Sequence, residues 1–104
     1  MSAPRAGGTV EAVIPLSPLQ EGMLFHALSD PERGIYLEQV SLLLRIPGGL
    51  DSGRLRAALA ASILRHPALR SGFTWKQGKR PLQVVTRRVI PEWIDVDLCA
   101  LSPP

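Results

Sequence analysis

Cysteine is nearly absent from this chain. Cys99 is the single one in 104 residues, which excludes an internal disulfide and a cysteine metal cluster. Histidine is almost as scarce: His26 and His66 form neither a Glu-x-x-His nor a His-x-x-x-His pattern, so the spacing points to no metal site. No apolar run approaches the ~20 residues a bilayer span needs. The segment from Met1 to Thr9 is small and polar, without the apolar stretch of a signal peptide. The expectation is a soluble, cytoplasmic chain with no membrane partner. No G-x-G-x-x-G and no Gly-Lys-Ser/Thr occurs, so Gly7-Gly8 and Gly48-Gly49 read as linker and turn glycines rather than a phosphate loop.

What is present suits one globular unit. Hydrophobic residues make up 45% and charged residues 20% of the chain, outside the disordered range. The net charge of +3 hides an asymmetry, since the first half is acidic and Arg54, Arg56, Arg65, Arg70, Lys76, Lys79, Arg80, Arg87 and Arg88 all lie in the second. These cations fall on a helix, two strand segments and a turn instead of forming a block, which reads as a solvated face and not a nucleic-acid footprint.

The clearest local signal is Pro15-Leu16-Ser17-Pro18-Leu19-Gln20-Glu21-Gly22-Met23-Leu24-Phe25-His26. Ser17 is an N-cap, Pro18 suits the first helical position, and Gln20 completes a capping box with Ser17. Glu21 lies in the first turn, where the helix dipole favours negative charge. The pattern predicts a short extended lead-in over Val10–Pro15 and a helix from Pro18 to Ser29. Leu19, Met23, Leu24, Ala27 and Leu28 would form its apolar face. Gly22 inside this helix signals either a close approach by another element or simple tolerance.

Residues Tyr36 to Ile46 predict a strand, with Tyr36, Val40, Leu42, Leu44 and Ile46 facing a core. Pro47-Gly48-Gly49 is a turn, and Asp51 or Ser52 caps a second helix that runs to Arg65 on Leu55, Leu59 and Ile63. His66-Pro67 stops it. Strands follow over Leu69–Trp75 and Leu82–Val89 around a hairpin loop at 76–80, and Trp93–Leu98 alternates again. The expected fold class is α+β, two helices packed on one face of a mostly antiparallel sheet.

The chemistry is sparse. Cys99 lacks a neighbouring histidine, His26 lies on a helix face, and His66 closes a helix. Asp95 and Asp97 suit a solvated strand face better than an acid/base pair. Trp75 beside Lys76, Lys79 and Arg80 reads as a core-covering aromatic instead of a base-stacking platform. From the residues alone no catalytic, cofactor-binding or metal site is complete.

Two motifs carry a family resemblance. Pro15 to His26 closely resembles the first core motif of nonribosomal peptide synthetase condensation domains, in which Ser-x-x-Gln opens the first helix. Arg65-His66-Pro67-Ala68-Leu69-Arg70-Ser71-Gly72-Phe73 resembles the second motif, with Ser71 in place of the usual Thr. Tyr36–Val40, the Leu50–Leu64 helix and Pro81–Val85 match the intervening and following elements. The resemblance covers residues 10–98, between a flexible start over 1–9 and a tail over 99–104.

The resemblance implies a partial chloramphenicol acetyltransferase-like lobe and a place in secondary metabolism. Such domains join carrier-protein-bound thioesters through an amide bond, acting on phosphopantetheine-held substrates and needing no cofactor of their own. The family's His-His-x-x-x-Asp-Gly signature does not occur here, which implies a fragment of the N-lobe that stops before the active site and is inactive alone. Ser17, Gln20, Arg65, His66, Leu69, Arg70 and Phe73 match family motifs and are assigned structural roles. Arg70 is the candidate for a buried cation organising a tunnel wall. Expected partners are the rest of a condensation domain, carrier proteins, or a second copy. The alternative is a non-catalytic interaction module with an exposed sheet edge and apolar helix face.

Overall fold

The computed structural model of the protein describes residues 9–76 and 78–101. Most of the expected start and tail therefore lies outside the described residues. Two helices and a three-stranded antiparallel sheet make an α+β arrangement. Strand β1 is Val10–Pro15, helix α1 Pro18–Ser29, helix α2 Ser52–Arg65, strand β2 Ser71–Thr74 and strand β3 Leu82–Thr86.

Helix α1 begins as its sequence dictates. The Gln20 N–H donates to Ser17 Oγ at 3.2 Å, and the Ser17 N–H donates to Gln20 Oε1 at 2.8 Å. Two backbone donors at the helix start, which no helical carbonyl can reach, are thereby satisfied reciprocally. Asp51 caps α2 in the same manner, its carboxylate accepting from the Arg54 N–H at 3.1 Å. At the other end the His66 N–H donates to the Ser62 carbonyl at 3.1 Å, and the Pro67–Arg70 segment tightens into a 3₁₀ turn that enters β2.

The sheet order is β1-β3-β2, so the last strand in sequence takes the centre. That position explains why Val85 and Thr86 are buried while β1 stays mostly open to solvent. Proline at the end of β1 is tolerated because this is an edge strand. The pairing of β1 with β3 slips between Val10, opposite Thr86, and Ala12, opposite Val85. Glu11 is the extra residue of this bulge. Bulges re-aim side chains, and this one supplies a ligand to the site described below.

The expected strands are trimmed. Leu69–Trp75 becomes Ser71–Thr74, because residues 67–70 wind into the 3₁₀ turn, and Leu82–Val89 becomes Leu82–Thr86. Two corrections are larger. Tyr36–Ile46 and Trp93–Leu98 form no regular strand. Alternation needs a neighbouring strand before it becomes sheet, and among the described residues neither segment has one. Val40 and Leu42 are 81% and 78% exposed instead of facing a core. Tyr36 itself takes a left-handed conformation with φ 65°.

The buried apolar set is correspondingly small: Leu16, Leu24, Ile63 and Val85. Only part of the anticipated α1 face is covered, with Leu24 buried, Ala27 and Leu28 half-buried, and Leu19 exposed. Nothing lies within 4 Å of where a Cβ on Gly22 would sit, so this glycine reflects tolerance and not close approach. The chain is elongated, 54 × 31 × 20 Å with a radius of gyration of 17.7 Å, against about 13 Å for a compact domain of 100 residues.

Candidate functional site

The most ordered polar chemistry sits around Arg70, which is 5% exposed. Its guanidinium makes four hydrogen bonds to three elements. Nε donates to the Ile63 carbonyl at 3.0 Å and Nη2 to the Leu64 carbonyl at 3.3 Å. These are carbonyls of the last turn of α2, which have no partner within the helix and where the macrodipole favours a cation. Nη1 donates to the Thr86 carbonyl at 2.6 Å and to Glu11 Oε2 at 2.5 Å. One planar fork thus joins the end of α2, the centre strand and the bulged edge strand. Thr86, 2% exposed, returns the contact: its hydroxyl lies 3.3 Å from the Arg70 carbonyl and 3.1 Å from the Arg88 carbonyl.

The ion pair with Glu11 is one-sided in burial, at 6% exposure for the arginine side chain and 45% for the glutamate side chain. A buried charge requires compensation. Here the carbonyls meet most of that requirement, while the carboxylate of the half-exposed glutamate neutralises the net charge.

A second polar line links the two motif regions. Gln20 Nε2 donates to Gln83 Oε1 at 3.3 Å. Gln83 Nε2 donates to Ser71 Oγ at 3.1 Å, and the Ser71 hydroxyl donates to the Pro67 carbonyl at 2.9 Å. Every amide in this relay accepts through oxygen on the α1 side and donates through nitrogen toward β2. The bonds therefore run in one sense and reinforce each other.

Beside the relay is a cleft of about 610 Å³, lined by Met23, Leu24 and Leu28 of α1, by Ile35 and Tyr36, and by Phe73 of β2. His26 Nδ1 and the Tyr36 hydroxyl lie 3.1 Å apart and tie the loop after α1 back to the helix.

The motif residues thus separate into two groups. Ser17, Gln20 and Arg70 join the bonded framework, and Phe73 lines the cleft. Arg65, His66 and Leu69 have exposed side chains, and His66 serves through its backbone as the C-cap of α2. Glu11, Gln83 and Thr86 belong to the framework without standing in either motif. Gln83 carries a sequence signal, as a polar residue set between Leu82 and Val84. Glu11 carries none, because its direction depends on the bulge.

Nothing in this framework has the layout of an acid/base or nucleophilic centre. Among the described residues no group of three or more His, Cys, Asp or Glu side chains could hold a metal ion, and no helix is long and apolar enough to cross a membrane. Cys99 is exposed, and Asp97 accepts from its N–H at 2.9 Å. That backbone hydrogen bond, aided by the thiol, holds the Asp97 carboxyl below its ordinary value. Asp95 and Asp97 lie on no strand, so the shared strand face expected for them does not form.

The geometry defines a structural frame, in which a buried cation and an amide relay fasten two helices to a small sheet. A family model for the condensation domain matches residues 10–98. The chain is 41% identical over 92 residues to tyrocidine synthase 2 of Brevibacillus parabrevis, covering 86% of this chain and 2% of that protein. It is 39% identical over 95 residues to one of the linear gramicidin synthase proteins of the same organism, covering 91% and 1%. Against surfactin synthase subunit 3 of Bacillus subtilis it is 36% identical over 87 residues, covering 84% and 7%. No solved structure gives a significant match. The chain belongs to the condensation-domain family of the nonribosomal peptide synthetases, and it spans 7% or less of the length of these three relatives.

Proposed function

We propose that this chain is the opening segment of a condensation-domain N-lobe, the frame on which peptide-bond formation between carrier-bound thioesters is organised. The observation that carries this reading is the Gln20–Gln83–Ser71 relay, together with Arg70 at the other end of β3. The two motifs that mark the family are fastened to one central strand. A frame of this kind fixes where later residues of a lobe stand, and positioning is a large part of catalysis. Its exposed sheet edge and apolar surface are what the remainder of a chloramphenicol acetyltransferase-like lobe would cover.

By itself the chain has no condensing chemistry. His26 and His66 are its histidines, neither belongs to a His-His-x-x-x-Asp-Gly sequence, and among the described residues no base stands beside a reacting centre. Carrier proteins and the rest of the domain are the partners that follow from this reading.

The test is a graft. Residues 10–98 replace their counterpart in an active condensation domain, and dipeptide formation is followed on carrier proteins loaded with donor and acceptor. Retained condensation supports the frame reading, whereas a folded chimera with no condensation overturns it. Condensation by this chain alone, added to the same loaded carriers, would overturn its assignment as inactive.

A further inference from the structure

Five of the described residues have a positive φ, and four of them are glycines: Gly34, Gly48, Gly49 and Gly78. The fifth is Tyr36, at φ 65°. It is the third residue of a turn over 34–37, closed by the Leu37 N–H donating to the Gly34 carbonyl at 3.2 Å. Of the two central residues only Tyr36 is left-handed, the type II pattern, which calls for glycine or asparagine at that place. A side chain there crowds the backbone and disfavours the conformation by about tenfold. Something outside the turn therefore holds Tyr36 in it.

The hold comes from α1. His26 Nδ1 and the Tyr36 hydroxyl stand within hydrogen-bond distance, and Tyr36 lines the cleft together with Met23, Leu24 and Leu28 of the helix. We propose that Tyr36 and His26 form a conformational latch. The tyrosine side chain, fastened to the helix, keeps the turn in its strained left-handed state. Its release opens the turn and takes away the loop side of the cleft.

Two states follow because a side-chain-bearing residue has separate backbone wells instead of a continuum. In the latched state Ile35, Tyr36 and Leu37 form part of the cleft wall. In the released state Tyr36 returns to a negative φ, and the Leu37 N–H loses the Gly34 carbonyl. These three residues then leave α1 together. The balance is close, since one hydrogen bond between side chains shifts such an equilibrium by about fivefold, comparable with the strain it opposes. Tyr36 is 50% exposed and His26 is exposed. The latch thus opens locally, without unfolding the frame around Arg70. It does not rest on the condensation reading.

Two nuclear magnetic resonance measurements on the whole chain test it. Hydrogen exchange at the Leu37 amide reads the turn, and the amide–Hα Overhauser effect within Tyr36, strong only at positive φ, reads the strained backbone. The unaltered chain should show a protected Leu37 amide and a strong effect at Tyr36. Tyr36→Phe and His26→Ala should each lower the ratio of latched to released turn about fivefold. Their combination should lower it no further, because both remove one shared bond. Tyr36→Gly should instead keep Leu37 protected, since glycine holds a left-handed turn without a tether. Adding His26→Ala to Tyr36→Gly should then change nothing. A tyrosine that served only as packing would lose the protection when cut back to glycine, so this pair separates the two roles. Both side chains are exposed, and unchanged helical circular dichroism verifies that the variants fold alike. A weak Overhauser effect in the unaltered chain would overturn the proposal. So would Leu37 protection that His26→Ala leaves unmoved, or that Tyr36→Gly abolishes.

Discussion

Arg70 and Thr86 hold each other from both sides. The arginine donates to the Thr86 carbonyl at 2.6 Å, and the Thr86 hydroxyl lies 3.3 Å from the Arg70 carbonyl. Both residues are buried, at 5% and 2% exposure. The clasp joins the entry of β2 to the end of β3, where the antiparallel ladder between them finishes. The same guanidinium reaches the end of α2 and the bulge in β1, so the position of four elements depends on one side chain.

Removing that side chain should be the most damaging single change. Arg70→Ala leaves the carbonyls of Ile63, Leu64 and Thr86 without their donor, at an expected cost of about 3 kcal/mol or more. Arg70→Lys keeps the charge but not the fork and should fall between the parent and Arg70→Ala. Glu11→Gln should cost about 1 kcal/mol or less, because the Glu11 side chain is 45% exposed and its charge is screened by water. Urea unfolding measures all three. An Arg70→Ala chain within about 0.5 kcal/mol of the parent would show that the clasp is not what holds the sheet to α2.

The Gln20–Gln83 bond spans 63 residues of sequence and is open to a double-mutant cycle. Gln20→Ala loses the capping box and the relay together, whereas Gln83→Ala loses the relay alone. The two changes should be non-additive by about 0.5–1 kcal/mol. Strict additivity of the unfolding free energies would mean that the amides are neighbours without coupling.

Helix α1 gives a pair of opposed predictions. Ser17→Ala removes the cap oxygen that receives the Gln20 N–H and should destabilise by about 1 kcal/mol. Gly22→Ala should stabilise by about the same amount, since a methyl there meets nothing within 4 Å and the helix gains propensity. Thermal melts of the two variants should bracket the parent, with their combination close to it. A destabilised Gly22→Ala chain would reveal a close approach to this helix in solution.

The helices were legible because their signals are local. Ser17, Pro18 and Gln20 specify the start of α1 within four residues, Asp51 does the same for α2, and His66-Pro67 marks an end that no distant contact needs to enforce. Strands are different. The alternation over Tyr36–Ile46 is as regular as that over Leu82–Thr86, yet only the second became sheet, because only it has partners on both sides. A period-two pattern records what a segment is suited to pair with, not whether the partner is present.

The motif between Pro15 and His26 and the one between Arg65 and Phe73 were enough to indicate the family from sequence. The functions of individual residues within them were not. That Gln20 extends beyond its cap to Gln83, that Arg70 unites α2 with β1 and β3, and that Glu11 turns toward it at a bulge are facts of tertiary structure. The sequence by itself determined where helices begin and end, since capping and proline sterics act over a few residues. Only the fold decided which polar groups became partners, because hydrogen bonds between residues 59 and 63 positions apart depend on the path of the whole chain between them.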